Sequence, residues 1–240
     1  MTIDIAAPKI AIQHSAVVVD LNAQAFAMPQ RTDYTTQTIF SRPAPAAVTY
    51  DLSIPNQATI TLPPKSTWTS GPHWHETHTE FLRVLSGAAE VTLSGAVLPS
   101  VTRDDGIVTV PRGAVHEWRR SRAANGGEDL VVREWTHPGD GAKEVFFRNL
   151  NGMVLDFVKQ QEAASKDEQQ MAWLSKYWQE CLLQVEFMSL FWRCDNWPVF
   201  LDQYRWPMWA QTVVTKGWLR LNVFAGFCTG RKGIYQEYSH

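Results

Sequence analysis

At 240 residues and 45% hydrophobic content, the chain has enough apolar material for one folded domain, or one domain with a substantial appendage, and is not disordered by default. Its 22 basic and 24 acidic residues leave a net charge of −2, and no basic cluster tracks a groove, so no nucleic-acid partner is expected. The opening MTIDIAAPKIAIQ puts Asp4 where a signal peptide would carry positive charge, and no continuous apolar run follows, so no secretory signal is read.

Residues 1–45 mix short apolar runs with Pro, Thr and Gln and end in SRPAPAAV, which reads as an arm or edge strands. Residues 46–140 are strand-like, with VTYDLSI, ATITL, TEFLRVL, AAEVTL, GIVTV, AVHEW and DLVVREW mostly punctuated by Gly, Pro, Asn or Asp. Many short strands with no helical pattern between them predict an antiparallel barrel or sandwich.

After about residue 141 the period changes. Met171, Leu174, Trp178, Cys181, Leu182, Val185, Ser189 and Trp192 recur at spacings of three and four, predicting an amphipathic helix over 168–193. Asp195-Asn196-Trp197-Pro198 breaks it, and Pro207 breaks or starts the next element. The zone 141–240 is thus a helical extension, and it holds seven of the eleven tryptophans, from Trp173 to Trp218. MWAQTVVTKGWLRLNVFAGF is long enough to span a bilayer, but Lys216 and Arg220 would each cost about 2.5–3.5 kcal/mol at its centre. Packing of the Trp/Phe face on the barrel or a sister subunit is the expectation, with peripheral contact at a membrane interface as the alternative. Cys181, Cys194 and Cys228 form no CxxC pair. They read as small buried hydrophobes in a reducing cytoplasm.

The segment PHWHETHTE, residues 72–80, packs three histidines and two glutamates into nine positions. On a strand His73 and His75 aim to one face and Trp74 to the other. Glu76 to Thr79 is short and polar, a turn, after which Glu80 opens the strand FLRVL. Downstream, Pro111-x-Gly113 makes a tight bend and His116 heads another strand. Three imidazoles and one carboxylate from adjacent antiparallel strands can meet inside a small barrel.

HWHETHTEFLRVLSG resembles the first signature of the cupins: H-x-H, four residues, Glu, six residues, Gly. PRGAVH resembles the second, P-x-G-x-x-H, and eighteen residues separate Gly87 from Gly106. The resemblance covers roughly 46–140 and implies a mainly β, antiparallel jelly-roll barrel, here with the α-helical C-terminal extension. It implies His73, His75, Glu80 and His116 as metal ligands on the inner wall. Thr67 in place of an expected glycine, a short gap before Pro111, and Arg120 depart from the pattern without removing a ligand.

Such an N3O set leaves open positions and suits a divalent transition metal, Fe(II), Mn(II), Ni(II) or Zn(II), acting as a Lewis acid or oxygen activator. His78 is a solvated turn histidine, a replacement for Glu80 in the cluster, or an acid–base group at the mouth, and in the last role it is assigned with Glu80 to catalysis. Trp118 shares His116's parity, and Leu82 and Val84 share Glu80's, so these three are expected to line an apolar substrate pocket, with core packing an equal alternative for Trp118, while Arg83 points outward. Few charged groups are expected there. The run VREWTHPGDGAKEVFFRNLNGMVLD and the aromatic tail look like small fungal cupin-domain proteins of polyketide or terpenoid biosynthesis. That looser resemblance implies a hydrophobic small-molecule substrate for a metal-dependent oxygenase or isomerase/cyclase, expected as a cytoplasmic homodimer. The alternatives are a non-catalytic cupin holding a hydrophobic ligand and a membrane-associated accessory protein.

Overall fold

A computed structural model of the protein describes residues 30–123, 127–163, 173–202 and 205–239, with side chains from 176 onward in the helix that begins at 173. Most of the arm at 1–45, and Met171 and the side chain of Leu174, lie outside these residues.

Two antiparallel sheets face each other across an apolar core. The first runs in the order β1 (Ile39–Arg42), β2 (Val48–Asp51), β3 (Gln57–Leu62), β10 (Leu130–His137), β5 (Thr79–Ser86), β8 (Ile107–Val110). The second runs β11 (Trp197–Pro198), β4 (His73–Trp74), β9 (His116–Arg120), β6 (Ala89–Leu93), β7 (Ala96–Val101). The period-two burial that the sequence alternation demands is visible in β3, β5 and β10, which send Ile60, Leu82, Val84, Leu130 and Val132 inward. Arg83 is exposed, as its parity requires. This is the jelly-roll layout with a helical C-terminal region. The residue-46 boundary read from composition falls after β1, which is the edge strand of the first sheet. β11, from the helical zone, completes the second sheet by pairing Pro198 with His73.

Three helices follow the barrel: α1 (Ala142–Ala163), α2 (Trp173–Arg193) and α3 (Met208–Thr229). α1 packs over β3 and α2. A Cβ on Gly152 would lie 2.6 Å from the Tyr238 ring, so only glycine lets the last residues of the chain seat on this helix. That terminal segment ties the molecule together. Tyr34 donates its N–H to the Glu237 carbonyl at 2.7 Å, and the Tyr238 hydroxyl donates to Asp156 at 2.7 Å.

Two expectations for the helices are corrected. α2 buries Leu182, Glu186, Met188, Ser189 and Leu190, whereas Trp178 is exposed and Trp192 half-buried, so the buried stripe is rotated from the one the tryptophans suggested. Arg31, Arg231 and the Tyr235 hydroxyl all bond the Glu186 carboxylate, which lets a charge sit on that inner face. On α3 the Trp and Phe side chains point away from the barrel rather than onto it. Of the three cysteines only Cys194 is buried. Cys181 is half-buried and Cys228 exposed.

Candidate metal centre

β4 and β9 are hydrogen-bonded neighbours, with His73 directly opposite His116. The ring centroids of His73 and His116 are 4.2 Å apart, and those of His75 lie 5.1 and 5.4 Å from them. Glu80 enters from β5 on the facing sheet. One ligand-capable atom from each of His73, His75, Glu80 and His116 lies within 4.8 Å of the others, a few tenths of an ångström wider than the about 4.2 Å that bonds of about 2.1 Å to one ion span, so small side-chain shifts would close it.

The tautomers follow from the acceptors. His73 Nδ1 bonds the Gly71 carbonyl at 2.8 Å, His75 Nδ1 the Asp195 carbonyl at 2.7 Å, and His116 Nδ1 the Ala114 carbonyl at 3.2 Å. A carbonyl only accepts, so each Nδ1 carries the hydrogen and donates it. That leaves the Nε2 atoms as the free coordinating positions, oriented as second-layer carbonyls orient metal-bound imidazoles. His75 Nε2 is buried without a hydrogen-bond partner, 3.7 Å from Glu80 Oε2. His116 Nε2 lies 2.6 Å from the same oxygen, a contact that needs a proton or a cation between the two atoms. An orphaned buried nitrogen beside a carboxylate is what a divalent cation would satisfy. The residues fit a metal.

The other Glu80 oxygen bonds Lys143 Nζ, and Lys143 also reaches Glu134 Oε1 at 2.8 Å. Glu134 Oε2 in turn accepts from Trp118 Nε1 at 3.2 Å. Two buried carboxylates thus share one ammonium. Burial favours a protonated Glu80, but the Lys143 charge and His116 outweigh it and hold this carboxyl well below its usual range. Burial raises Glu134. Burial opposes the charge on Lys143, yet Glu134 and Glu80 keep the amine protonated far above its ordinary range. Burial, then the nearby His116 and His75 rings, pushes His73 well below the ordinary imidazole value, so it stays neutral as a ligand must.

Three of the four cluster residues, His73, His75 and Glu80, line a cavity of about 360 Å³. Its walls are Tyr50, Trp68, Phe146, Phe147, Leu150 and Phe191, with Lys143, Glu134 and Arg42 also facing it. Leu82, Val84 and Trp118 do not line it. They are buried in the barrel core, and Trp118 acts from beneath by holding Glu134. All three face inward as their parity requires, but Leu82 and Val84 sit below the cavity and Trp118 takes the core-packing role. Nor is the pocket poor in charge, as Lys143 and Glu134 show.

His78 lines the cavity, but both its nitrogens are engaged: Nδ1 lies 2.8 Å from Asp195 Oδ2 and Nε2 3.1 Å from Asp140 Oδ2. Asp195 is the residue that sequence reasoning missed most. From the end of α2 its carboxylate accepts the backbone N–H groups of Glu76, Thr77 and His78, while its carbonyl holds His75. Burial raises this carboxyl, but His78, Thr77 and the Glu76 N–H outweigh burial and keep it strongly acidic.

A family model described as "Cupin domain" matches residues 58–130, the stretch that supplies all four side chains of the candidate metal cluster. Residues 58–130 carry a cupin domain. "Probable oxidoreductase virH" of Hypocrea virens (strain Gv29-8 / FGSC 10586) is 37% identical over 92 residues, which span 36% of this chain and 41% of that relative. The chain therefore aligns with less than half of that relative's length. Among solved structures, the capsular polysaccharide assembling protein CapF from Staphylococcus aureus aligns at 21% identity and a TM-score of 0.32, over 41% of this chain and 30% of CapF. KdgF from Halomonas sp. aligns at 18% identity and a TM-score of 0.31, over 40% of this chain and 84% of KdgF.

Proposed function

We propose that this protein is a metal-dependent enzyme acting on a hydrophobic, oxygen-bearing small molecule, by oxygenation or by isomerisation or cyclisation. The carrying observation is the convergence of three Nδ1-tethered imidazoles and Glu80 at the end of an aromatic-walled cavity, with His75 Nε2 buried and unpartnered. The similarity to a fungal relative named as an oxidoreductase supports an enzyme at that coarse level.

His73, His75, Glu80 and His116 would hold Fe(II), Mn(II), Ni(II) or Zn(II), and the bound ion would supply Lewis acidity or oxygen activation next to the cavity. The rest falls to the chain itself. Phe146, Phe147 and Phe191 exclude water and bind the apolar body of the substrate. Lys143, fixed between Glu80 and Glu134, presents positive charge to a substrate oxygen. His78, between Asp195 and the more exposed Asp140, is placed to pass a proton from the cavity wall toward solvent.

A second reading, a non-catalytic binder of a hydrophobic ligand, is favoured by one observation: Lys143 already neutralises part of the Glu80 charge. Elemental analysis of protein purified without chelator separates the two. The enzyme reading expects bound transition metal at about one per chain, lost in His116→Ala with the fold retained. Absence of metal after purification and after reconstitution would end it.

A further inference from the structure

Helix α3 turns much of its apolar surface outward. Its inward face mixes buried Gln211, Thr215 and Asn222 with Ala210 and Leu219, the last packed against Trp74, Met188 and Trp197, while its outward face carries Trp209, Val213, Leu221, Phe224 and Phe227 at 71, 65, 63, 68 and 84% exposure. The polar residues are used. Gln211 exchanges two hydrogen bonds with the backbone of Leu201, and Thr215 Oγ1 donates to the Pro198 carbonyl at 2.9 Å, so polar bonds fix the docked face alongside the buried Leu219. The orientation is therefore set by specific bonds. The three outward rings alone present on the order of 400 Å² of apolar surface, at about 150–250 Å² per aromatic side chain. That matches the largest apolar patch of a typical monomer, about 300–600 Å², the scale at which such a surface often marks an interaction site.

The charge pattern says what covers it. The chain as a whole is acidic by two charges, yet residues 203–236 contain five Arg or Lys and no Asp or Glu; Arg231 is buried on Glu186, and Arg205, Arg220 and Lys232 are exposed. Arg205 and Arg220 lie beside the apolar face. The acidic neighbour Glu76 is taken by Lys216 at 2.9 Å. A symmetric dimer through this face would set the same arginines of two copies near each other with no carboxylate in either segment to pair them. An anionic lipid surface meets both demands, since it takes Trp and Phe at the acyl boundary and Arg and Lys at the headgroups. No helix among the described residues is long and apolar enough to cross a membrane, which leaves an in-plane arrangement.

We propose that the outward face of α3 is a docking surface for an anionic membrane, on which the protein lies peripherally. Pro198 and Val199, next to the Leu201 segment that grips α3, line the cavity, so docking would bring the cavity close to the lipid from which an apolar substrate could enter. The surface itself does not depend on the metal reading, because its test measures partition rather than turnover.

The test is co-sedimentation of the full chain with phosphatidylcholine vesicles, with and without about 30% phosphatidylserine, alongside light scattering of the lipid-free protein. Binding to the anionic vesicles should exceed binding to neutral ones by about tenfold or more and fall with added salt. Leu221→Glu with Phe224→Glu should abolish it. Both side chains are exposed, so metal content and thermal unfolding should not change. No sedimentation with either vesicle would overturn the proposal, and so would a lipid-free dimer dissolved by the double substitution without vesicle binding. Equal partition onto neutral and anionic vesicles would overturn its electrostatic half.

Discussion

Asp195→Ala tests the idea that the helical extension builds the metal centre rather than merely covering the barrel. The Asp195 carboxylate accepts from the N–H groups of Glu76, Thr77 and His78 at 2.9, 2.8 and 3.1 Å, from Thr77 Oγ1 at 2.7 Å and from Trp197 Nε1 at 2.8 Å, and it faces His78 Nδ1 at 2.8 Å. Hydrogen bonds to a charged group contribute about 1.5–3 kcal/mol each when the partner is left buried. Thr77 is exposed, so water replaces its two bonds cheaply. His78 and Trp197 are buried and lose partners that water reaches poorly, which amounts to about 3–4 kcal/mol. Asp195 also sits at φ 51°, where Asp is tolerated and Ala costs about 1 kcal/mol more.

The expected loss is therefore about 4–5 kcal/mol for Asp195→Ala, and about half of that for Asp195→Asn, which keeps one acceptor oxygen and the left-handed tolerance. Denaturant unfolding of metal-depleted protein measures it. Metal affinity should also fall by about 10- to 100-fold, because the carbonyl orienting His75 belongs to the same residue. Chelator competition measures that. An Asp195→Ala protein with an unchanged midpoint and metal affinity within about twofold of wild type would refute the reasoning.

Lys143→Met leaves the Glu80 and Glu134 carboxylates buried without their ammonium, so metal-free protein should lose about 3–5 kcal/mol, and a bound divalent ion should restore part of it. Equal losses with and without metal, read from denaturant curves, would show that no ion shares that charge. The metal-free protein should also lose stability as pH falls through the range just below 6.5. His73 is held neutral in the fold while the unfolded chain takes up its proton near 6.5, so acid favours unfolding by up to about 1.4 kcal/mol per pH unit until the lower folded pKa is reached. Unfolding midpoints between pH 7.5 and 5.5 should show this slope (about 1.4 kcal/mol per unit at most), and His73→Gln should flatten it.

The ligand set was legible because it is local. His73, His75 and Glu80 lie within eight residues, their parity is fixed by strand geometry, and His116 follows a proline-glycine bend that leaves little choice of register. Glu134 was also within reach, since it shares a strand face with Leu130 and Val132, and a carboxylate in that row has to be inside. Lys143 and Asp195 were not. Lys143 lies in the first turn of a helix whose pattern is blurred by Asn149, Asn151 and Gly152, and Asp195 reads locally as a helix breaker. Their roles come from contacts that cross 63 and 117–120 positions, and no periodicity encodes contacts of that kind.

That division has a consequence for what counts as the functional unit. The matched cupin segment, 58–130, contains the four side chains of the candidate metal cluster, but the carbonyl that orients His75 comes from residue 195. The ammonium on Glu80 comes from residue 143, and the aromatic wall comes largely from Phe146, Phe147 and Phe191. β11 pairs with β4 along the strand that carries His73. A barrel cut free of its helices would keep the coordinating atoms while losing one of the three tautomer-fixing bonds, the counter-charge and the pocket. Residues 141–199 are therefore part of the candidate metal centre itself. They hold His75 and Glu80 in the geometry an ion needs, and they set what shape of molecule can reach it.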